Sequence, residues 1–342
     1  MNKTLERDPF FDNAKFILIV LVVIGHSIRP FINDNPFLGT IYNFLYSFHM
    51  PLFIMISGYF SKNFKRESYY RNAITRLLIP YLIFQTLYTL IDTFIYNPSS
   101  KLDFSLLTPY WSLWFLISLF FWRMLLPLFV QLKYPLLWAI AIGVLVGYFD
   151  DVGKFMSLSR TFVFFPFYLA GYYIQREHIR KLFTPWIRTT SITLFLFLFA
   201  LFYFLLEIAQ IPIDLDILRR SLYGSYSYGA LYQLEWYAGL YRLLLYGISA
   251  FLSITFLSFI PRQQTFFTDM GQRTLYVYLL HGLVVRTLIA FGVDEKITTP
   301  LEQSFVILFA VLVGVLLATR SVQKIARPFV EPRIYWLFDR KS

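Results

Sequence analysis

Three of the four histidines in this chain, His26, His49 and His281, lie inside apolar runs long enough to cross a bilayer. An ionisable side chain held there is a functional-site candidate, because keeping it in hydrocarbon costs free energy. The first of them has company. On a helix turning about 100° per residue, Asp12, Lys15, Ile19, Val22 and His26 share one stripe, with Lys15 and His26 about three turns apart. A neutral imidazole can take the proton of a hydroxyl as that hydroxyl attacks an acyl group, and acyl transfer to an alcohol needs such a base. Three histidines could in principle hold zinc, yet no H-x-x-x-H or H-E-x-x-H spacing occurs and no carboxylate neighbours them in sequence. The absence of a Walker motif, of G-x-S-x-G and of G-x-G-x-x-G argues against an ATP-driven pump, a serine hydrolase and a dinucleotide enzyme. With no cysteine, there is no disulfide, thiolate nucleophile or thiolate metal site.

The elements that must position these groups are membrane helices. Residues are 57% hydrophobic and only 15% charged, with a mean hydropathy of +0.57, outside the range of a soluble domain. The expected fold is all-α: a polytopic integral membrane helical bundle of about ten transmembrane helices, near 14–32, 40–60, 73–96, 111–132, 134–149, 159–175, 188–208, 239–260, 272–292 and 302–319. The longest stretch outside them lies near 210–238, so residues 1–342 are expected to form a single membrane domain with no separate soluble domain. The first span lacks an A-x-A-like cleavage site and is expected to stay in the mature protein.

Lysine and arginine set the orientation. With the N-terminus inside, inner segments collect about 21 of them and outer segments about 7, which predicts a multi-pass cell-membrane protein with both termini cytoplasmic. The net charge of +11 then reflects topology and anionic lipid of the bilayer's inner leaflet, and nucleic acid is not an expected partner.

Further candidates follow in chain order. Pro51, two residues after His49, removes a backbone donor and predicts a kink just below that histidine, which could equally be a hydrogen-bonded helix–helix contact. The basic segment with Lys65, Arg66, Arg71 and Arg76 satisfies inner-loop topology, but Arg76 sits at the membrane entrance, where a guanidinium can pair with phosphate. Arg123 lies about a dozen residues into its span and must face a partner or a wet cavity. On the outer side, Tyr226, Tyr228, Glu235 and Trp236, with Arg242 close beneath, could stack on sugar rings and bond their hydroxyls; an interfacial aromatic girdle is the alternative.

In this order the residues resemble the acyltransferase family 3 membrane O-acyltransferases, most closely the fucose 4-O-acetyltransferase-like branch without an extracellular domain. The carriers are Lys15 and His26 with Arg7, Asp8, Asp12 and Gly25; Phe48-His49-Met50-Pro51-Leu52-Phe53 with Ile56-Ser57-Gly58-Tyr59; Arg76-Leu77-Leu78-Ile79-Pro80-Tyr81; Trp114-Phe115-Leu116; and Tyr276-x-Tyr278-Leu279-Leu280-His281. The resemblance covers nearly the whole chain. It implies about ten helices around a pore that admits acyl-CoA, usually acetyl-CoA, from the cytoplasm and an extracellular or lipid-linked glycan from the other side, with no metal.

By the same resemblance His26 is the catalytic histidine and Lys15 the basic partner below it; Asp12 stands beside Lys15 as a further candidate, and the chemistry of an imidazole suits His26 to act as base or transient acyl carrier. On physical grounds, not from the resemblance, His281 or His49 is the candidate to orient it or stabilise the oxyanion. Arg76 matches the second of the family's paired donor-side arginines. The position three residues earlier is Ala73 and the nearest arginine is Arg71, so Lys65 and Arg66 stand beside it as donor-side candidates, with Arg123. Polysaccharide-assembly proteins are conceivable partners. The competing class is a secondary transporter or flippase with an intramembrane His and Arg pathway, although no convincing internal repeat is seen.

Overall fold

A computed structural model describes residues 8–66, 68–98, 104–153, 155–232 and 236–332, and every regular element among them is helical. In chain order the α-helices are α1 (Pro9–Ile28), α2 (Pro36–Tyr46), α3 (His49–Tyr59), α4 (Ser68–Ala73), α5 (Ile79–Ile91), α6 (Trp114–Phe129), α7 (Pro135–Leu145) and α8 (Leu158–Tyr173). They continue as α9 (Arg176–Lys181), α10 (Pro185–Tyr203), α11 (Leu215–Tyr223), α12 (Gly229–Tyr232), α13 (Ala238–Phe256), α14 (Thr274–Ala290), α15 (Pro300–Leu317) and α16 (Arg320–Val330). Local chemistry starts several of them. Asp8 Oδ1 accepts the Phe10 N–H at 3.1 Å, Asn35 Oδ1 accepts that of Leu38 at 3.3 Å, and Thr299 and Glu302 form a reciprocal capping box. Pro9, Pro36, Pro135, Pro185 and Pro300 each occupy the first turn, where a missing N–H costs nothing.

Among the described residues, six helical stretches are long and apolar enough to cross a membrane: Pro9–Phe31, Ser68–Tyr96, Trp111–Phe129, Pro185–Ile208, Ala238–Phe259 and Pro300–Leu317. Two shorter apolar helices, Pro135–Tyr148 and Thr274–Ala290, fall on two more of the expected spans. The remaining two, 40–60 and 159–175, correspond to the α2–α3 pair and to α8. The protein is therefore a polytopic membrane helical bundle.

One local expectation shifts. The break in 40–60 falls at Ser47 and Phe48, before His49. Pro51 cannot donate to the Ser47 carbonyl, and the chain turns tightly there: Ser47 N–H bonds Phe44 O and Phe48 N–H bonds Leu45 O, both at 3.2 Å. Ser47 Oγ also donates to Phe44 O at 2.6 Å.

The chain folds as two compact units, each assembled from separated stretches. The first draws on Met1–Ile56, Gln175–Ile213 and Ser249–Lys324; the second on Ser57–Ile174, Asp214–Ile248 and Ile325–Ser342. In the first, Phe44, Leu45, Phe48, Phe195 and Leu252 form an aromatic-rich core in which Phe44 and Phe48 each meet Phe195 edge to face, at 5.2 and 5.3 Å. In lipid, apolar burial drives helix association weakly, so close packing and interhelical hydrogen bonds must specify the arrangement.

Asn13 supplies four such bonds. Its Nδ2 donates to Pro261 O and Gln263 O, both at 2.9 Å, and its Oδ1 accepts from Thr265 Oγ1 at 3.1 Å and Thr268 Oγ1 at 2.7 Å. Just beyond, Gly271 lies so close to α1 that a Cβ there would stand 2.0 Å from the Asp12 carbonyl oxygen. Arg273, buried, donates to Ala318 O at the end of α15 and to Asp269 Oδ2 at 3.0 Å, and Arg320 reaches the same carboxylate at 3.1 Å.

The second unit is keyed differently. Trp122 on α6, fully buried, donates through Nε1 to Thr161 O on α8 at 2.7 Å and stacks on Tyr168, while Thr161 Oγ1 donates to Ser118 Oγ at 2.9 Å. Gln85 on α5 ties down the following loop, donating to Ser105 O and Thr108 O and accepting from Tyr110 N–H.

Two outcomes test this reading. Asn13→Ala removes a partner from two part-buried carbonyls and two hydroxyls, and is expected to cost roughly 1–3 kcal/mol, read as a lower unfolding temperature in detergent; Lys296→Ala, on an exposed turn, should be silent. The hydrogen bond from Arg273, then Arg320, holds the Asp269 carboxyl below its usual range. A depressed carboxylate stabilises the fold above its unfolded pKa of about 3.9 and loses that contribution as pH falls through the folded value. Asp269→Asn should thus lower the unfolding temperature slightly at pH 7, the carboxylate being partly exposed, and the difference should vanish in acid.

Candidate active site

The site is built on α1. Its buried face carries Asp12, Ile19 and Val22, and both Lys15 and His26 are partly buried. Lys15 Nζ contacts Asp12 Oδ1 at 2.7 Å, one turn apart, with the carboxylate the more deeply buried partner. The two form an ion pair near the start of the helix, and His26 stands eleven residues, about 16 Å, further along the axis.

At that level α14 brings in His281. The rings of His26 and His281 lie 5.3 Å apart between centroids, inclined by 32°. His281 is fully buried, and its Nδ1 lies 2.7 Å from Tyr278 O and 3.1 Å from Val277 O. Carbonyl oxygens only accept, so Nδ1 carries the proton and Nε2 is the basic nitrogen of the neutral ring. His49, at the first turn of α3, is set in the same way: buried, with Nδ1 donating to Leu45 O at 2.7 Å. Neither residue depends on a distant partner for its tautomer, because each uses its own helix backbone.

Tyr46 connects the two histidine-bearing regions. Its ring meets that of His49 at 4.8 Å and stacks on Tyr42 at 4.1 Å. Its edge also lies 3.1 Å from where a Cβ on Gly25 would stand, so the residue before His26 is small where Tyr46 packs. One turn earlier on α2, Asn43 is buried with neither its amide nitrogen nor its oxygen hydrogen-bonded. Tyr46 and Asn43 are not distinguishable in the sequence, because an aromatic or amide in an apolar helix has no characteristic spacing. The only available signal was their position within one turn of Phe48-His49-Met50-Pro51.

The expected donor-side cations lie in the second unit. Lys65, Arg66, Arg71 and Arg76 are all exposed. Arg76 falls within the π turn Ile74–Leu78, which joins α4 to α5. Such a turn closes i to i+5, one residue more than an α turn. Arg123 is partly buried, its guanidinium 5.7 Å above the Tyr69 ring, while the Tyr69 hydroxyl donates to the Arg123 carbonyl at 3.2 Å.

The expected acceptor residues separate. Tyr228 is buried, with its hydroxyl donating to Val144 O at 2.9 Å and its ring 4.7 Å beneath the buried Arg242 guanidinium, which itself bonds Gly143 O at 3.2 Å. These two are occupied in packing α7 and α13. Tyr226 lies under Arg220 at 5.5 Å, Trp236 is 75% exposed, and Glu235 lies outside the described residues. Another polar group joins these residues in the second unit: Arg160 stands 5.0 Å over the Trp114 ring and donates to Tyr223 O at 3.1 Å and Ser225 Oγ at 3.3 Å. Among the described residues no group of three or more His, Cys, Asp or Glu is placed to hold a metal ion.

Comparison with known proteins supplies the family. The model described as "Acyltransferase domain" matches residues 8–319, a range that runs through both units and includes Lys15, His26, His49, Arg76 and His281. The chain is 28% identical to nodulation protein NolL of Mesorhizobium japonicum over 94% of its own length and 88% of that protein's. It is 38% identical to nodulation protein NolL of Sinorhizobium fredii across 40% of its length and 41% of that relative. No solved structure matches. A histidine pair assembled on apolar helices, in a chain matched from its first described residue to the end of its last candidate span, thus belongs to the acyltransferase family 3 membrane O-acyltransferases, and the protein is an O-acyltransferase enzyme.

Proposed function

We propose that this enzyme carries an acetyl group from cytoplasmic acetyl-CoA to a hydroxyl of a cell-envelope or exported glycan, with both units serving one acyltransferase domain. The observation that carries the reading is the approach of His26 to His281, 255 positions apart in sequence and 5.3 Å apart between ring centroids. The split of basic residues supports an orientation with both termini inside, which places the N-terminal end of α1 on the donor side. Arg160 over Trp114, with Tyr226 and Trp236 in the same unit, supports a sugar acceptor, since aromatic faces bordered by hydrogen-bonding groups suit pyranose rings.

In this reading His26 accepts the proton of the acceptor hydroxyl as its oxygen attacks the thioester carbonyl. The new C–O bond forms, the C–S bond breaks, and the proton passes from the imidazolium to the departing thiolate. A transient acyl group on His26 divides the same balance into two steps. His281, its proton held on Nδ1, offers Nε2 as an acceptor that can orient the ring beside it. Lys15, balanced by Asp12, is the cation of α1 on the donor side.

The test is transfer of labelled acetyl from acetyl-CoA by purified protein. His26→Ala should lower turnover by about 100-fold or more, and full retention sinks the central step. His281→Phe keeps a ring but not the basic nitrogen. It should reduce kcat by roughly tenfold to a hundredfold while the KM for acetyl-CoA stays within about twofold; a change confined to KM removes His281 from the chemistry. Substrate flux without acetyl-CoA consumption identifies a transporter instead.

A further inference from the structure

Outside the histidine site, the first unit holds a cavity of about 990 Å³ at the start of α1. Its wall carries four guanidiniums, Arg176, Arg180, Arg188 and Arg262, against the two carboxylates of Asp8 and Glu177. The arginines come from three separated stretches: α9, the first turn of α10, and the loop after α13. Converging four cations on one concave surface is unfavourable unless anions share it.

Among the described residues, internal pairing accounts for only part of that charge. Asp8 engages Arg176 at 3.1 Å, and Arg188 donates through Nε to Ser258 O at 3.1 Å, a bond that orients the side chain without neutralising it. Arg188 and Arg262 both lie on the ring of Phe183, at 6.0 and 4.9 Å, so one aromatic side chain aligns two guanidiniums toward a common space. Phe183 is in turn braced edge to face by Phe10 of α1 at 5.4 Å. The site is thus fixed to the same helix that bears His26. The loop carrying Arg262 is held there by the two Asn13 bonds to Pro261 O and Gln263 O.

Scale supports a particular ligand. The cavity exceeds what one phosphate fills and suits a nucleotide bearing several phosphates. Phe11 lines it, and His26 lies fifteen residues further along α1, about 22 Å at 1.5 Å per residue. That span is comparable with an extended pantetheine arm between pyrophosphate and thioester. We infer that this arginine-lined cleft binds the 3′-phosphoadenosine diphosphate end of the acyl-CoA donor. The inference rests on the acyl-CoA reading above, and it assigns to the first unit a phosphate site separate from Arg71 and Arg76.

The probe is adenosine 3′,5′-bisphosphate, titrated calorimetrically into full-length protein in neutral detergent, beside acetyl transfer assays with acetyl-CoA and with acetyl-pantetheine, which lacks the nucleotide. Wild type should bind the bisphosphate. Arg180→Ala with Arg262→Ala should weaken binding by about tenfold or more and raise the KM for acetyl-CoA similarly, leaving acetyl-pantetheine turnover within about twofold. Arg180→Lys with Arg262→Lys, which keeps charge but not the planar fork, should fall between. Unchanged bisphosphate affinity in the alanine variant overturns the assignment even if the enzyme is active. So does a defect seen only as lost preference for phosphatidylglycerol over phosphatidylcholine nanodiscs, which would make the cleft a lipid headgroup site. Binding that weakens as expected in a protein that transfers no acetyl group from any donor would instead retain the cleft and refute the proposed reaction.

Discussion

The four hydrogen bonds of Asn13 are the constraint on which the first unit depends. Lipid provides no hydrogen-bond partner, so an amide whose partners all lie inside the protein is a strong constraint on which segments meet. Here all of them come from one loop, 261–268, so a single side chain determines where that loop meets α1. Gly271 then brings the chain against the Asp12 carbonyl, and α14 starts three residues later. The register of α14 against α1 is therefore set at their lower ends, and the meeting of His26 with His281 higher up is its consequence.

The same economy applies to the histidines themselves. His281 and His49 obtain their tautomers from carbonyls three or four residues back on their own chain, so burial of each ring carries its own satisfied donor. An aspartate could do this in water, but a second charge in the bundle interior would need a further partner. The ion pairs of the first unit sit instead near helix ends: Asp12 with Lys15 near the start of α1, and Asp269 shared between Arg273 and Arg320.

The second unit shows how a polar residue within a span can be structural. Arg242, buried over Tyr228 and bonded to Gly143 O, has the chemistry expected of an acceptor site and is consumed by packing. Arg160, by contrast, bridges Trp114, Tyr223 and Ser225 at the start of α8. Residue type and depth are poor guides to this distinction, because a guanidinium satisfied by a carbonyl and one offered to a ligand have the same sequence.

Sequence alone determined what the bilayer imposes: an all-helical chain, most of its apolar spans, and the placement of three histidines in them. It also determined the Asp12, Lys15 and His26 stripe, because helical periodicity within one element is a local property. The Ser47 break eluded it by a few residues, since the effect of Pro51 on the carbonyl of Ser47 is divided between several competing short-range bonds. What only the tertiary structure decided is everything that joins distant segments. The pairing of His26 with His281, the seat of Tyr46 against Gly25, the Asn13 clamp and the convergence of Arg176, Arg188 and Arg262 each need chain separated by tens to hundreds of residues to meet. Such meetings arise from hydrogen bonds and close packing between helices, which leave no periodic trace in the order of residues.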